Sequence, residues 1–239
     1  MRQIFREERH LVPEYMVNRR KKKVILAWSG GKDSVLALQN ISNRYEIVSL
    51  LTTVTEGYDR SSMHGVRRVL IERQAESMGY PLEIVFIPKK CTNEDYESRM
   101  RKVHGKLKRM GVTGVVFGDI HLQDVRKYRE DNLAKVGMKG IFPLWGTESS
   151  ELITRFIELG FRAVVVCVDL QKLDRSFVGK EYDSKFVSVL PSGIDPCGEN
   201  GEFHTFVYDG PTFKERICFI RGRVVIRENR FCYCDLIPI

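Results

Sequence analysis

Apolar positions cluster in strand-length runs at Val24 to Trp28, Ile47 to Thr53, Leu82 to Ile87 and Gly114 to Phe117. Stretches of roughly 10 to 18 residues with helical spacing separate them. This alternation predicts a parallel sheet with crossover helices, an α/β fold. The helix starts carry matching chemistry. Thr92-Asn93-Glu94-Asp95 offers a cap and early acids for a helix reaching Met110. Ser149-Ser150-Glu151 does the same for a helix ending at Gly160, which suits a C-terminal cap.

After that helix comes "FRAVVVCVD", another buried strand, and from about Gln171 the pattern loosens. Short helical pieces ("SKFVSVL"), a Gly/Pro-rich stretch from Pro191 to Gly201 and a hairpin-like "ICFIRGRVVI", with Arg221-Gly222 as its turn, predict a smaller α+β portion. The expected division is a basic N-terminal arm (1–22), a parallel-sheet domain (23–140) and an α+β C-terminal domain (141–239).

Composition adds limits. With 43% hydrophobic and 29% charged residues in 239, the balance is that of a globular protein with a sizeable core. No apolar run approaches the ~20 residues that span a bilayer. "MRQIFREERHLVPEYMV" has no signal-peptide apolar core, so a cytoplasmic location is expected. The six cysteines are then expected as reduced thiols, with Cys167 in the core. Cys232-x-Cys234 would place both thiols on one sheet face, and packing suits this pair better than zinc, whose sites usually pair CxxC motifs. The net charge of +8 is concentrated: residues 1–23 hold eight Lys/Arg against three Glu. Arg19-Arg20-Lys21-Lys22-Lys23 could touch RNA phosphates, but a solvated run before a first strand is the commoner use, so a nucleic-acid partner is not expected.

Between the first strand and the next helical run lies Ser29-Gly30-Gly31-Lys32-Asp33-Ser34. A helix N-terminus presents free N–H groups and a positive dipole end. Gly30 and Gly31 let the backbone approach a bound group, Ser29 and Ser34 add hydroxyls, and Lys32 adds a cation. Together they form a phosphate cradle. It is not a Walker A loop, whose two glycines are separated by four residues.

"SGGKDS" resembles the PP-loop of the N-type ATP pyrophosphatases, which split ATP between the α and β phosphates to adenylate a substrate. Beyond it, "SMHGVR", "GDI", "PLW", "GFRAVVVCVD" and "GIDPCGENGEFHTFVYDGPTF" resemble the diphthine-ammonia ligase related family of ATP-binding proteins, over nearly the whole chain after Lys23. The resemblance implies an adenine nucleotide alpha hydrolase-like, Rossmann-like PP-loop domain, with 141–239 as the substrate domain. It also implies an ATP-dependent carbon-nitrogen ligase that adenylates a carboxylate, releases pyrophosphate and AMP, and takes ammonia or another amine. Members that make diphthamide on elongation factor two typically carry "EGGEYET" where this chain has Glu199 to Thr205, "ENGEFHT". The latter form is similar to a largely bacterial branch linked to cobalamin salvage, which leaves the acceptor open. Competing readings are a PP-loop enzyme acting on tRNA, and a nucleotide-binding protein without turnover. A homodimer is kept as a possible assembly.

The resemblance implies that Ser29, Gly30, Gly31, Lys32, Asp33 and Ser34 bind the β and γ phosphates. It assigns Thr52 to the adenine, and His64 and Gly118 to the nucleotide. Asp33 fits a magnesium ligand and equally a first-turn helix acid. Asp119, at a strand end, fits a second metal or ribose ligand, or the cap of a helix starting near Gln123. Arg126 and Arg129 follow as exposed residues. Glu199 and Glu202 could orient ammonia, bind magnesium or act as base, and His204 could move a proton. Without the resemblance, the same stretch reads as an acidic surface turn. Lys32, Asp33, Glu199, Glu202 and His204 are thus the expected catalytic set.

Overall fold

The computed structural model describes residues 21–239, so the basic arm expected at 1–22 lies almost wholly outside the described residues. The first sheet begins with β1 (Lys22–Ala27), followed by α1 (Lys32–Ile41), β2 (Tyr45–Thr55), β3 (Arg60–Ser61), α2 (Arg68–Met78), β4 (Leu82–Ile87), α3 (Asn93–Arg109), β5 (Gly114–Val116), α4 (Gln123–Ala134) and β6 (Lys139–Ile141). Five strands run parallel in the order β4-β2-β1-β5-β6. β1 stops pairing at Ala27 opposite Leu51, and the antiparallel β3 joins β2 beyond it, at Val54 and Thr55. All four expected strands of this sheet form. Gly140, where the division was expected, lies inside β6.

Side chains alternate across a strand, so this sheet buries two faces. Val24, Leu26 and Trp28 join one core with apolar residues of α1 and α2, while Ile25 joins the other with Leu107 of α3 and Leu133 of α4. Thr92 caps α3 as expected: its side chain accepts from the Asp95 N–H, and the Asp95 carboxylate answers at the Thr92 N–H.

The rest of the chain comprises α5 (Ser149–Glu158), β7 (Arg162–Asp169), α6 (Ser184–Ser188), β8 (Phe203–Asp209), β9 (Phe219–Arg227) and β10 (Phe231–Pro238). Its strands form a smaller antiparallel sheet in the order β8-β7-β10-β9. Central β7 is buried from Ala163 through Asp169, which explains its unbroken apolar run. The fold is therefore mixed α/β, with a mainly parallel sheet and a smaller α+β portion packed on the α1, α2 and α5 side.

Two local expectations are corrected. "ICFIRGRVVI" is not a hairpin turning at Arg221-Gly222, because β9 runs through both residues. The turn falls at Glu228-Asn229, both at positive φ (54° and 50°), which asparagine tolerates well. Gly222 is small because a Cβ there would lie 2.8 Å from Ile237 Cδ1. The serines that open α5 do not cap it either: Glu148 occupies the cap position, and the Ser149 hydroxyl donates to Asp195 Oδ2 at 3.2 Å.

Candidate active site

A cavity of about 520 Å³ opens at the carboxyl ends of β1, β2 and β5, the edge where open α/β sheets bind ligands. The first turn contributes Ser29, Lys32, Asp33 and Ser34 to its wall, and β2 contributes Thr52. His64, Gly118 with Asp119, and Glu199 with His204 arrive from three further segments. Gly30 and Gly31 shape the turn without lining the cavity, and Glu202 is turned away from it.

The glycine turn is built by packing as much as by its own sequence. Gly30 has φ +80°, and a Cβ there would lie 2.7 Å from both Gln74 Oε1 and Ile71 Cδ1. At Gly31 a Cβ would approach His64 Nε2 and the Thr205 carbonyl at 3.2 Å. The Ser29 hydroxyl accepts the Gly31 N–H at 3.2 Å, and the Ser34 hydroxyl donates to the Gly31 carbonyl at 2.8 Å. The second sheet completes the cradle. The Val207 N–H donates to the Gly30 carbonyl at 2.9 Å, and the Lys32 N–H donates to Thr205 Oγ1 at 3.1 Å.

Gln74 and Thr205 are positioning residues that the sequence reading missed. Gln74 is fully buried. Its amide donates to the Gly30 carbonyl at 3.0 Å and the Val207 carbonyl at 2.5 Å, and its Oε1 accepts the Trp28 indole N–H at 3.0 Å. The available signal was a glutamine on the apolar stripe Leu70, Ile71, Ala75 and Met78, since a polar group in a core stripe needs partners.

Lys32 is buried, with its ammonium 2.9 Å from Asp33 Oδ2, bonded to the Cys197 carbonyl, and 5.5 Å from the Phe203 ring centre. Burial alone would lower its pKa, but Asp33, Cys197 and Glu199 outweigh that and raise it, so the site keeps a permanent cation. Burial raises the Asp33 carboxyl against the pull of Lys32. Asp33 Oδ1 is buried with no hydrogen-bond partner, an oxygen free to take a hard cation.

His64 and His204 stand with ring centres 4.4 Å apart. The His64 loop is pinned where Ser61 and Val66 exchange hydrogen bonds, the Ser61 N–H to the Val66 carbonyl at 2.8 Å and the Val66 N–H to Ser61 Oγ at 3.2 Å. Burial, then the neighbouring His204 and Lys32, holds His64 well below the ordinary histidine range. Burial and Lys32 bring His204 down to about 4. Both rings are therefore neutral at pH 7. The unfolded chain protonates near the usual histidine pKa, so the stability this neutral ring supplies is lost as pH falls from about 6.5 to about 4. His204→Asn is expected to remove about 3 kcal/mol of that decline, seen by comparing denaturation midpoints at pH 7 and pH 4. An unchanged pH slope would contradict the neutral ring.

Asp119, expected as a metal or ribose ligand, forms an ion pair, and its buried Oδ2 has no hydrogen-bond partner. Arg129 Nη2 donates to its Oδ1 at 3.0 Å, and Arg129 Nε lies 2.7 Å from its Oδ2. Asp119 does not cap α4, whose cap position is Leu122. Arg129 is not a loose surface residue: it lies 4.4 Å from the Phe117 ring centre, and Arg126 sits over Phe142 and Trp145. Glu199 Oε1 accepts the Ile120 N–H at 2.8 Å, fastening the 195–202 segment to the loop after β5, and burial raises its pKa. Glu202 differs most from expectation. Its Oε1 accepts from the Asp195 N–H at 3.3 Å and the Asn200 amide at 3.0 Å, so it braces the loop from inside.

Family models described as the diphthamide synthase N-terminal and C-terminal domains match residues 22–140 and 148–235. A Schizosaccharomyces pombe protein named diphthine–ammonia ligase is 28% identical over 233 residues, covering 88% of this chain but only 38% of the relative. A Homo sapiens protein of the same name is 26% identical over 224 residues, covering 84% of each chain. A Methanocaldococcus jannaschii structure, titled a predicted subunit of tRNA methyltransferase, is similar at a TM-score of 0.41 and 16% identity, over 60% of this chain and 80% of that one. The two domain matches occur in order and together take in most of the chain, so this protein belongs to the diphthamide synthase family.

Proposed function

We propose that the protein is an ATP-dependent amide-forming ligase that adenylates a carboxylate and then transfers it to ammonia. The observation that carries this reading is one cavity in which the Ser29–Ser34 turn faces the Glu199–His204 segment. Family membership and the relatives named diphthine–ammonia ligase support it. In the first step a carboxylate oxygen attacks the α-phosphorus of ATP, the bond to the bridging oxygen breaks, and pyrophosphate leaves. The charge gathers on the departing phosphates, where the α1 N-terminus and the permanent Lys32 cation stand ready. In the second step ammonia attacks the acyl carbon, AMP leaves, and the nitrogen loses a proton. Neutral His64 or His204 can accept that proton because each imidazole keeps an acceptor nitrogen. Glu199 holds the loops in register. Magnesium fits Asp33, whose Oδ1 has no protein partner, and would neutralise phosphate charge there. Asp119 Oδ2, held near it by Arg129 and likewise without a hydrogen-bond partner, is a second oxygen that such an ion could take. Among the described residues no helix is long and apolar enough to cross a membrane.

Incubation with ATP, magnesium and ammonium, together with a panel of carboxylates that includes diphthine-bearing elongation factor two, is expected to yield AMP, pyrophosphate and amide in equal amounts. Tight ATP binding with no AMP from any acceptor would instead identify a nucleotide-binding protein. AMP formed only when tRNA is added would move the substrate to RNA.

A further inference from the structure

The segment that points His64 into the first cavity also borders a second, of about 330 Å³, lined by four arginines and one acid: Arg60, Arg67, Arg223, Arg227 and Asp235. Strand alternation builds this wall. Arg223 and Arg227 project from β9 on the same face as Tyr233 and Asp235 of β10, and the 60–67 segment packs against them. Gly65 permits that approach, because it has φ +69° and a Cβ there would lie 2.6 Å from the Tyr233 ring.

The charges do not balance. Arg67 grips Asp235 with two donors, at 3.0 and 2.7 Å, and Arg60 meets the same carboxylate at 2.8 Å. These two guanidiniums pull Asp235 down to about 2, so it is always ionised and already shared. Arg227 lies 4.6 Å from the Tyr58 ring centre, and neither it nor Arg223 forms an ion pair among the described residues. The lining therefore carries three more positive than negative charges.

We propose that this cavity binds a small ligand through a phosphate group carrying two or more negative charges. A single carboxylate would leave most of the excess charge unanswered, whereas a pyrophosphate or phosphate monoester answers it. Guanidinium forks match phosphate oxygens in pairs. Asp235 already orients Arg60 and Arg67, so little freedom is lost there on binding, and Arg223 and Arg227 are exposed and able to close. The volume suits a small molecule better than a tracking polymer groove. The proposed ligation uses one phosphate site per chain, so this second site lies outside it.

The test titrates inorganic pyrophosphate by calorimetry into the full chain with its first cavity saturated by a non-cleavable ATP analogue. The expected result is one additional saturable site whose affinity falls with added salt. Arg223→Ser/Arg227→Ser is expected to weaken it at least about tenfold while leaving the analogue's affinity unchanged, and Arg223→Glu alone to weaken it in the same direction. Acetate at equal concentration is expected not to compete. Absence of a second site, equal affinity in the variants, or binding of RNA without binding of pyrophosphate would overturn the proposal.

Discussion

Lys32→Met is expected to reduce AMP formation about a hundredfold or more and to lower stability by about 3 kcal/mol. The two effects share one cause. In the proposed reaction the ammonium answers the departing phosphates, and it is also the buried partner of Asp33 and a donor to the Cys197 carbonyl. Removing it leaves a carboxylate and a carbonyl without their donor in a dry setting. Adding Asp33→Asn removes the stranded charge, so the double variant is expected to regain much of the stability and none of the turnover. Denaturant midpoints set beside AMP release check both parts. Wild-type stability in Lys32→Met would show that the buried pair contributes nothing, and wild-type turnover would remove Lys32 from the proposed chemistry.

Gln74→Leu is expected to cost about 3 kcal/mol and to raise the KM for ATP with a smaller change in kcat. Leucine fills a similar volume but leaves the Trp28 indole N–H and the Val207 carbonyl buried without partners, at roughly 1 to 3 kcal/mol each. The Gly30 carbonyl would keep only the Val207 N–H, so the turn that forms the cradle would lose its brace from α2. Gln74→Glu keeps an oxygen for Trp28 and loses the two donated bonds, so it separates the indole contact from the turn contact. A KM equal to wild type in both variants would show that the turn holds its shape without Gln74.

Legibility followed the range of the forces. The strands of the parallel sheet were readable because each is a local apolar run, and the Ser29–Ser34 cradle because its special residues are contiguous. Arg221-Gly222 misled for a complementary reason. A glycine signals a turn when read alone, but here it makes room for Ile237 on the neighbouring strand, while the real turn rests on the left-handed tolerance of Asn229. Glu202 read as a catalytic acid and Asp119 as a metal or ribose ligand, both beside glycines. Their partners, the Asp195 N–H and Arg129, become visible only once the loops are folded together.

By itself, then, the sequence determined the α/β class, the order of β1, β2, β4 and β5 with helices between them, and a glycine turn at the end of β1 suited to an anion, because period, capping and glycine torsion are local properties. The tertiary structure alone decided that β8 closes that turn through Val207 and Thr205, that Gln74 braces it, and that His64 and His204 meet as neutral neighbours. It also decided that Arg60, Arg67, Arg223 and Arg227 converge around one shared carboxylate. Those arrangements depend on desolvation and on contacts between residues far apart in the chain, and neither leaves a mark on local spacing.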